Sequence, residues 1–126
     1  DVPVSMILGN AGAGPEAGRI VRAEARRPIG RAVPGLIEEL LSPDLTDSFE
    51  VIHSTFAPHS GISSPRQRET EEIGYLLSGR LKLTIAGDLF DLKRGDSFRI
   101  RGEPYTWENP HSVPATALWV IAPPVY

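Results

Sequence analysis

Glu71-Glu72-Ile73-Gly74-Tyr75-Leu76-Leu77-Ser78-Gly79-Arg80-Leu81-Lys82-Leu83-Thr84-Ile85 continues through Ala86-Gly87-Asp88 and Leu92-Lys93-Arg94-Gly95-Asp96-Ser97-Phe98 to Pro104-Tyr105-Thr106-Trp107-Glu108-Asn109-Pro110. Leu81, Leu83 and Ile85 alternate with Lys82 and Thr84, the period of two that sends one side of a strand into a core. Gly79-Arg80, Ala86-Gly87-Asp88 and Arg94-Gly95-Asp96 break the pattern as turns. Strands are therefore expected over Glu72–Ser78, Leu81–Ile85, Leu89–Leu92, Ser97–Ile100 and Tyr105–Glu108.

Outward from this block the same signals recur. Phe49–Phe56 is rich in β-branched and aromatic residues and reads as a strand. So does Ala115–Ile121, after which Pro123-Pro124 cannot continue a hydrogen-bonded ladder. Ala57–Arg66 is a loop of Pro, Ser and Gly. Arg19–Ala23 is expected to be a first short strand. Leu36-Ile37-Glu38-Glu39-Leu40-Leu41 is ambiguous: its residues favour a helix, but Gly35 and Ser42-Pro43 leave room for six residues, too few for an independent one. The 12 glycines and 12 prolines punctuate a chain of 126 residues, enough for one domain. Short strands separated by turns make it all-β, a sandwich or a barrel.

Residues 1–18 differ from the rest. Gly9-Asn10-Ala11-Gly12-Ala13-Gly14-Pro15-Glu16-Ala17-Gly18 has little to bury and reads as a flexible linker or arm, with the domain occupying 19–126. It lacks the spacing of a phosphate-binding glycine loop. Zero cysteines exclude disulfides, thiolate metal sites and a thiol nucleophile. A net charge of −3 argues against a broad basic face for nucleic acid. No apolar run approaches the roughly 18 residues of a membrane span. The start carries no secretory signal, and a cytoplasmic location is expected, although Asp1 is not an initiator methionine and sequence upstream is expected.

The Glu72–Gly79 spacing and the Gly95-Asp96-Ser97, Pro104 and Asn109-Pro110 string resemble the paired motifs of the cupin family, over about Val51 to Pro123. The resemblance implies a cupin-type jelly-roll β-barrel, and favours a strand at Leu36–Leu41. It also implies a metal site of histidines and one glutamate. Glu72 holds the glutamate position. Arg66-Gln67-Arg68 stands where the family places His-x-His, and Tyr105 where it places the last histidine. Guanidinium is always protonated and offers donors only. A phenol ionises near pH 10. One extra residue before the glutamate, which the family tolerates, nominates Gln67 in place of Arg68, and Gln is a poor ligand. No bound metal and no other cofactor is expected in either register.

Positions 66, 68 and 72 share parity, so a regular extended segment points all three one way. An inward Glu72 needs a partner, because a lone buried carboxylate is costly. A bidentate contact from Arg68 or Arg66 would supply it, leaving a second guanidinium for an anionic ligand. Alternatively, both arginines point to solvent from an irregular loop beside Pro65. Tyr105 is expected in the pocket. Trp107 shares its parity and is either a pocket or a core residue. Phe98, Trp119 and Tyr75 are further candidates to line a cavity. His53 is the strongest outsider, since its strand is expected to line the barrel. His59 and His111 have no paired ligand spacing, and Asn109 is expected to cap a turn with Pro110.

Val21–Glu24, Glu39–Leu45, Glu71–Tyr75 and Ala117–Ile121 resemble more closely the cupin half of bacterial XRE-type helix-turn-helix regulators. That resemblance implies a non-catalytic, small-ligand-binding sensor domain that dimerises, with residues 19–23 offering an edge strand. DNA would be reached only through a helix-turn-helix head outside these residues. The ligand-binding candidates are Arg66, Arg68, Glu72, Tyr105, His53 and Trp107. The competing expectation is a stand-alone enzyme: a metal-free isomerase or epimerase with Glu72 as base and Tyr105 as acid, or a metal-dependent dioxygenase. A third is a plain dimerisation module with a filled barrel.

Overall fold

The computed structural model describes residues 14–29, 33–43 and 46–124. Among the described residues ten strands form: β1 (Arg27–Pro28), β2 (Leu36–Leu40), β3 (Glu50–Phe56), β4 (Ser60–Gly61), β5 (Glu71–Ser78), β6 (Arg80–Ile85), β7 (Asp88–Lys93), β8 (Ser97–Arg101), β9 (Tyr105–Asn109) and β10 (Ala115–Ala122). Every pairing is antiparallel, and two sheets result: a six-stranded one ordered β1-β2-β3-β10-β5-β8 and a four-stranded one ordered β4-β9-β6-β7. Their apolar faces meet in one core, built on Ile52, Phe56, Leu76, Leu81, Leu83, Ile100, Trp107 and Trp119. This is the expected all-β jelly-roll barrel. No described helix is long and apolar enough to cross a membrane.

Side-chain alternation sets which residues face that core. On β3 Glu50, Ile52, Ser54 and Phe56 are buried, and on β10 Ala115, Ala117, Trp119 and Ile121. Between β6 and β7, Ala86 (φ 51°) and Gly87 (φ 87°) make the two-residue hairpin turn. Positive φ at both central positions matches the right-handed twist of the flanking strands.

Three local outcomes have physical causes. Leu36–Leu40 is a strand despite its helical propensity, because β3 offers it a ladder from Leu36↔Phe56 to Leu40↔Ile52. Arg19–Ala23 is not a strand, which corrects the expectation. Residues 14–20 turn on themselves instead, with Arg19 N and Ile20 N both donating to Glu16 O at 2.9 Å and Arg22 Nη2 2.8 Å from Glu16 Oε2. A single turn of 3₁₀ helix follows at Ala23–Ala25. The linker expectation over 1–18 lies mostly outside the described residues. Asn109 does more than cap a turn. Fully buried, its Nδ2 reaches Phe56 O and Ala57 O at 3.2 Å and Val113 O at 3.0 Å, while its Oδ1 accepts from His111 N at 3.1 Å. These bonds tie the far end of β9 to the end of β3.

Candidate functional site

The segment before β5 lies against the opposite end of β9. Arg66 N donates to Tyr105 O at 2.8 Å, and Tyr105 N to Arg66 O at 2.9 Å. Directly paired residues on antiparallel strands put their side chains on one side, so Arg66 follows the buried Tyr105 inward. The alternation then holds without a break. Arg66 and Arg68 are half-buried and Thr70 and Glu72 buried, while Gln67, Glu69 and Glu71 are exposed. Gln67 turns away and donates from Nε2 to Gly102 O at 2.9 Å. Of the two registers open in the sequence, the structure adopts the one that brings Arg68 beside Glu72.

Glu72 is 2% exposed, between Ile121 on β10 and Ile100 on β8. The Thr70 hydroxyl donates to its Oε2 at 2.8 Å, and Arg68 Nε stands 3.6 Å from the same oxygen. The expected bidentate contact is therefore a single, longer one, with threonine making the hydrogen bond. Glu72 Oε1 and Arg68 Nε, both buried, have no hydrogen-bond partner.

A second wall comes from β2 and β3. Glu38 pairs with Ser54, and the Ser54 hydroxyl lies 3.5 Å from Glu38 Oε2. Burial pushes the Glu38 carboxyl up from its ordinary range, against the pull of Arg66 and Arg68 and the Ser54 contact and with the push of Glu50. The Tyr105 hydroxyl is also driven up, first by burial and then by Glu72, with Arg68 and Arg66 opposing. For Arg68, burial works against the charge, but Glu72, Tyr105 and Glu38 outweigh it and raise its pKa. Glu38, Arg66, Arg68, Glu72 and Tyr105 thus share one electrostatic environment.

Aromatic rings complete the interior. Trp119 stands between Ile52 and Gly74 on neighbouring strands, its ring 6.2 Å from Tyr105 and 5.1 Å from Phe98. Gly74 makes this possible, since a Cβ there would lie 2.1 Å from Phe98 Cζ. Trp119 Nε1 is buried without a hydrogen-bond partner. Trp107 sits deeper, 3% exposed and edge-on to Phe56 with centroids 4.7 Å apart.

The remaining candidates are elsewhere. The parity that buries Ser54 sends His53 to the other face of the sheet, where its Nδ1 is 4.0 Å from Glu39 Oε1. His53 is thus not part of the inward cluster. Tyr75 is exposed on that same outer face of β5. His59 is exposed, and His111 lies at the Asn109 end. Sequence reading missed Glu38, Ser54 and Thr70. Parity held the signal, for Glu38 shares it with Leu36 and Leu40 and Thr70 with Arg68 and Glu72.

The metal that the cupin resemblance implies does not fit these residues. At the family's four positions stand two permanently protonated guanidinium groups, one carboxylate and a phenol that holds its proton. Among the described residues no three His, Cys, Asp or Glu side chains gather where they could hold a metal ion. The arrangement offers donors from Arg66, Arg68 and Trp119 and acceptors from Glu38 and Glu72, which suits a polar organic ligand.

No curated protein sequence matches the chain. Solved structures do. The cupin domain of an XRE-family transcriptional regulator from Enterobacter cloacae is 25% identical, with a TM-score of 0.61, covering 70% of this chain and 96% of that one. KdgF from Halomonas is 17% identical with a TM-score of 0.71, over 84% of this chain and 94% of that one. A cupin-2 domain from Rhodospirillum rubrum is 12% identical with a TM-score of 0.69, over 81% of this chain and 72% of that one. The family model for the cupin domain matches residues 52–121, more than half of the sequence. The jelly roll, the motif spacing around Glu72 and Tyr105 and this match agree: the chain belongs to the cupin family.

Proposed function

We propose that this domain is a non-catalytic sensor that binds a small molecule inside its barrel and belongs to a bacterial transcriptional regulator. The observation that carries the reading is the replacement of metal ligands by Arg66, Arg68 and Tyr105 around a buried Glu72. Fixed charge and hydrogen-bond donors hold a ligand without activating oxygen or polarising a substrate through an ion. The likeness to the regulator domain from Enterobacter cloacae supports the same reading. Ligand in the barrel would favour one arrangement of a homodimer and so reset the spacing of DNA-binding heads. Ile73, Tyr75 and Val120, exposed on the outer face of the six-stranded sheet, are apolar surface that a second copy can cover. The location consistent with this role is the cytoplasm.

The metal-free acid–base alternative loses support at Tyr105. A phenol pushed above its ordinary pKa gives up its proton less readily at neutral pH, which weakens it as a general acid. Two measurements test the sensor reading. Upstream of Asp1 the gene should encode a helix-turn-helix; a reading frame that begins within a few codons of Asp1 refutes the regulator. Elemental analysis of the purified protein should find no stoichiometric iron, manganese, nickel or zinc; one coordinated ion per chain overturns the site as described.

A further inference from the structure

We propose that the interior site selects small zwitterions, molecules with a carboxylate and a protonated amine a few atoms apart, over plain anions of the same length. The inference rests on the ligand-binding reading above and deepens it. Its basis is the pairing of interior charges. Glu72 is served by Thr70 at 2.8 Å and by Arg68 at 3.6 Å. Among the described residues Arg66 makes no ion pair with any carboxylate, and Glu38 makes none with any cation. Among the described residues the Glu38 carboxylate accepts one hydrogen bond, from the Ser54 hydroxyl at 3.5 Å. Yet the two guanidinium charges are felt at Glu38, so the opposite charges face one another across more than 4 Å without contact.

Though less so than a fully buried one, a half-buried carboxylate with one weak hydrogen bond is costly to maintain. So is a buried indole N–H or carboxylate oxygen without a partner, and the same interior holds Trp119 Nε1 at 5% residue exposure and Glu72 Oε1 at 2%. A plain anion would satisfy Arg66 and Arg68 but would add negative charge beside Glu38. A ligand carrying an ammonium as well satisfies both walls. Its carboxylate meets the guanidinium groups, and its nitrogen, which is donor only, meets Glu38.

The test compares matched probes on the purified protein by isothermal titration calorimetry at pH 7. The first set is 4-aminobutyrate, butyrate and butylamine. The second is the common α-amino acids, each with its deaminated acid and its decarboxylated amine. At least one zwitterion should bind roughly tenfold or more tightly than both of its counterparts, the value of one charged hydrogen bond. Glu38→Gln should erase that preference, weakening the zwitterion and strengthening the acid by removal of the like charge, whereas Glu38→Asp, which keeps the charge, should retain part of it. Arg66→Gln should weaken zwitterion and acid together. Acids that bind as well as zwitterions overturn the zwitterion class while the ligand-binding reading stands. A preference that survives Glu38→Gln overturns the role of Glu38. Failure of every probe at millimolar concentration overturns the class and removes the support for a small-ligand sensor.

Discussion

Replacing Arg68 by Met leaves the Glu72 carboxylate in a nearly dry site with one hydroxyl as its partner. At 3.6 Å and an effective dielectric constant of about 20, the lost attraction is about 5 kcal/mol before screening. The side chain of Arg68 is 32% exposed, so water and salt reduce that figure. The contact is also longer than a hydrogen bond. A net coupling of about 1–3 kcal/mol is therefore expected, below the cost of breaking a fully buried pair. A double-mutant cycle with Glu72→Gln isolates it. Urea unfolding of the wild type, Arg68→Met, Glu72→Gln and the double variant at pH 7 gives the four free energies. Arg68→Met alone should be less stable than Arg68→Met with Glu72→Gln, because the second change removes the stranded charge. A coupling below about 0.5 kcal/mol, the usual limit of additivity, would refute the interior ion pair.

Gly74→Ala should lower stability by about 1–3 kcal/mol in the same assay and alter tryptophan fluorescence, since the Phe98 ring must leave its place over Gly74 and its edge contact with Trp119; unchanged fluorescence and stability contradict that packing. Tyr105 has a raised folded-state pKa, so the stability it contributes is complete below the unfolded value of about 10 and is lost as the pH rises through the folded one. Tyr105→Phe should accordingly lose less stability than the wild type between pH 10 and 12 on alkaline titration followed by circular dichroism, and parallel losses refute the assignment. Glu38 is also raised, so its carboxyl costs stability at neutral pH and not below about pH 4. Glu38→Gln should therefore melt higher than the wild type at pH 7 and equally at pH 3.5; a lower melting temperature at pH 7 shows that Glu38 is already well partnered without a ligand.

Much of the barrel was legible because alternation is robust when both neighbours of a strand are present. Leu81, Leu83 and Ile85 announce their core face, and the turns at Gly79, Gly87 and Gly95 set the strand limits almost to the residue. The site was legible in part for the same reason. The parity of 66, 68 and 72 survives through a segment that is mostly not a strand, because the bridge of Arg66 to Tyr105 anchors it. What stayed hidden depends on distant pairing. Glu38 lies in a stretch that is ambiguous between helix and strand until Ser54 is its neighbour across the ladder. His53 reads as a barrel-lining residue until the register puts Ser54, one position on, on that face. Arg19–Ala23 has the composition of a strand, but the carboxylate and carbonyl of Glu16 capture it first.

Glu38 has a second attachment. Its side chain belongs to the interior, but its carbonyl oxygen accepts a hydrogen bond from Ile29 N at 2.9 Å, where the incoming N-terminal segment joins the sheet. Among the described residues that segment's ladder with β2 consists of Arg27 and Pro28. One peptide unit thus works as a lever, with its carboxyl arm in the vessel and its carbonyl arm on the doorway of the chain. A rotation of that peptide unit would be felt at β1, a strand of two residues.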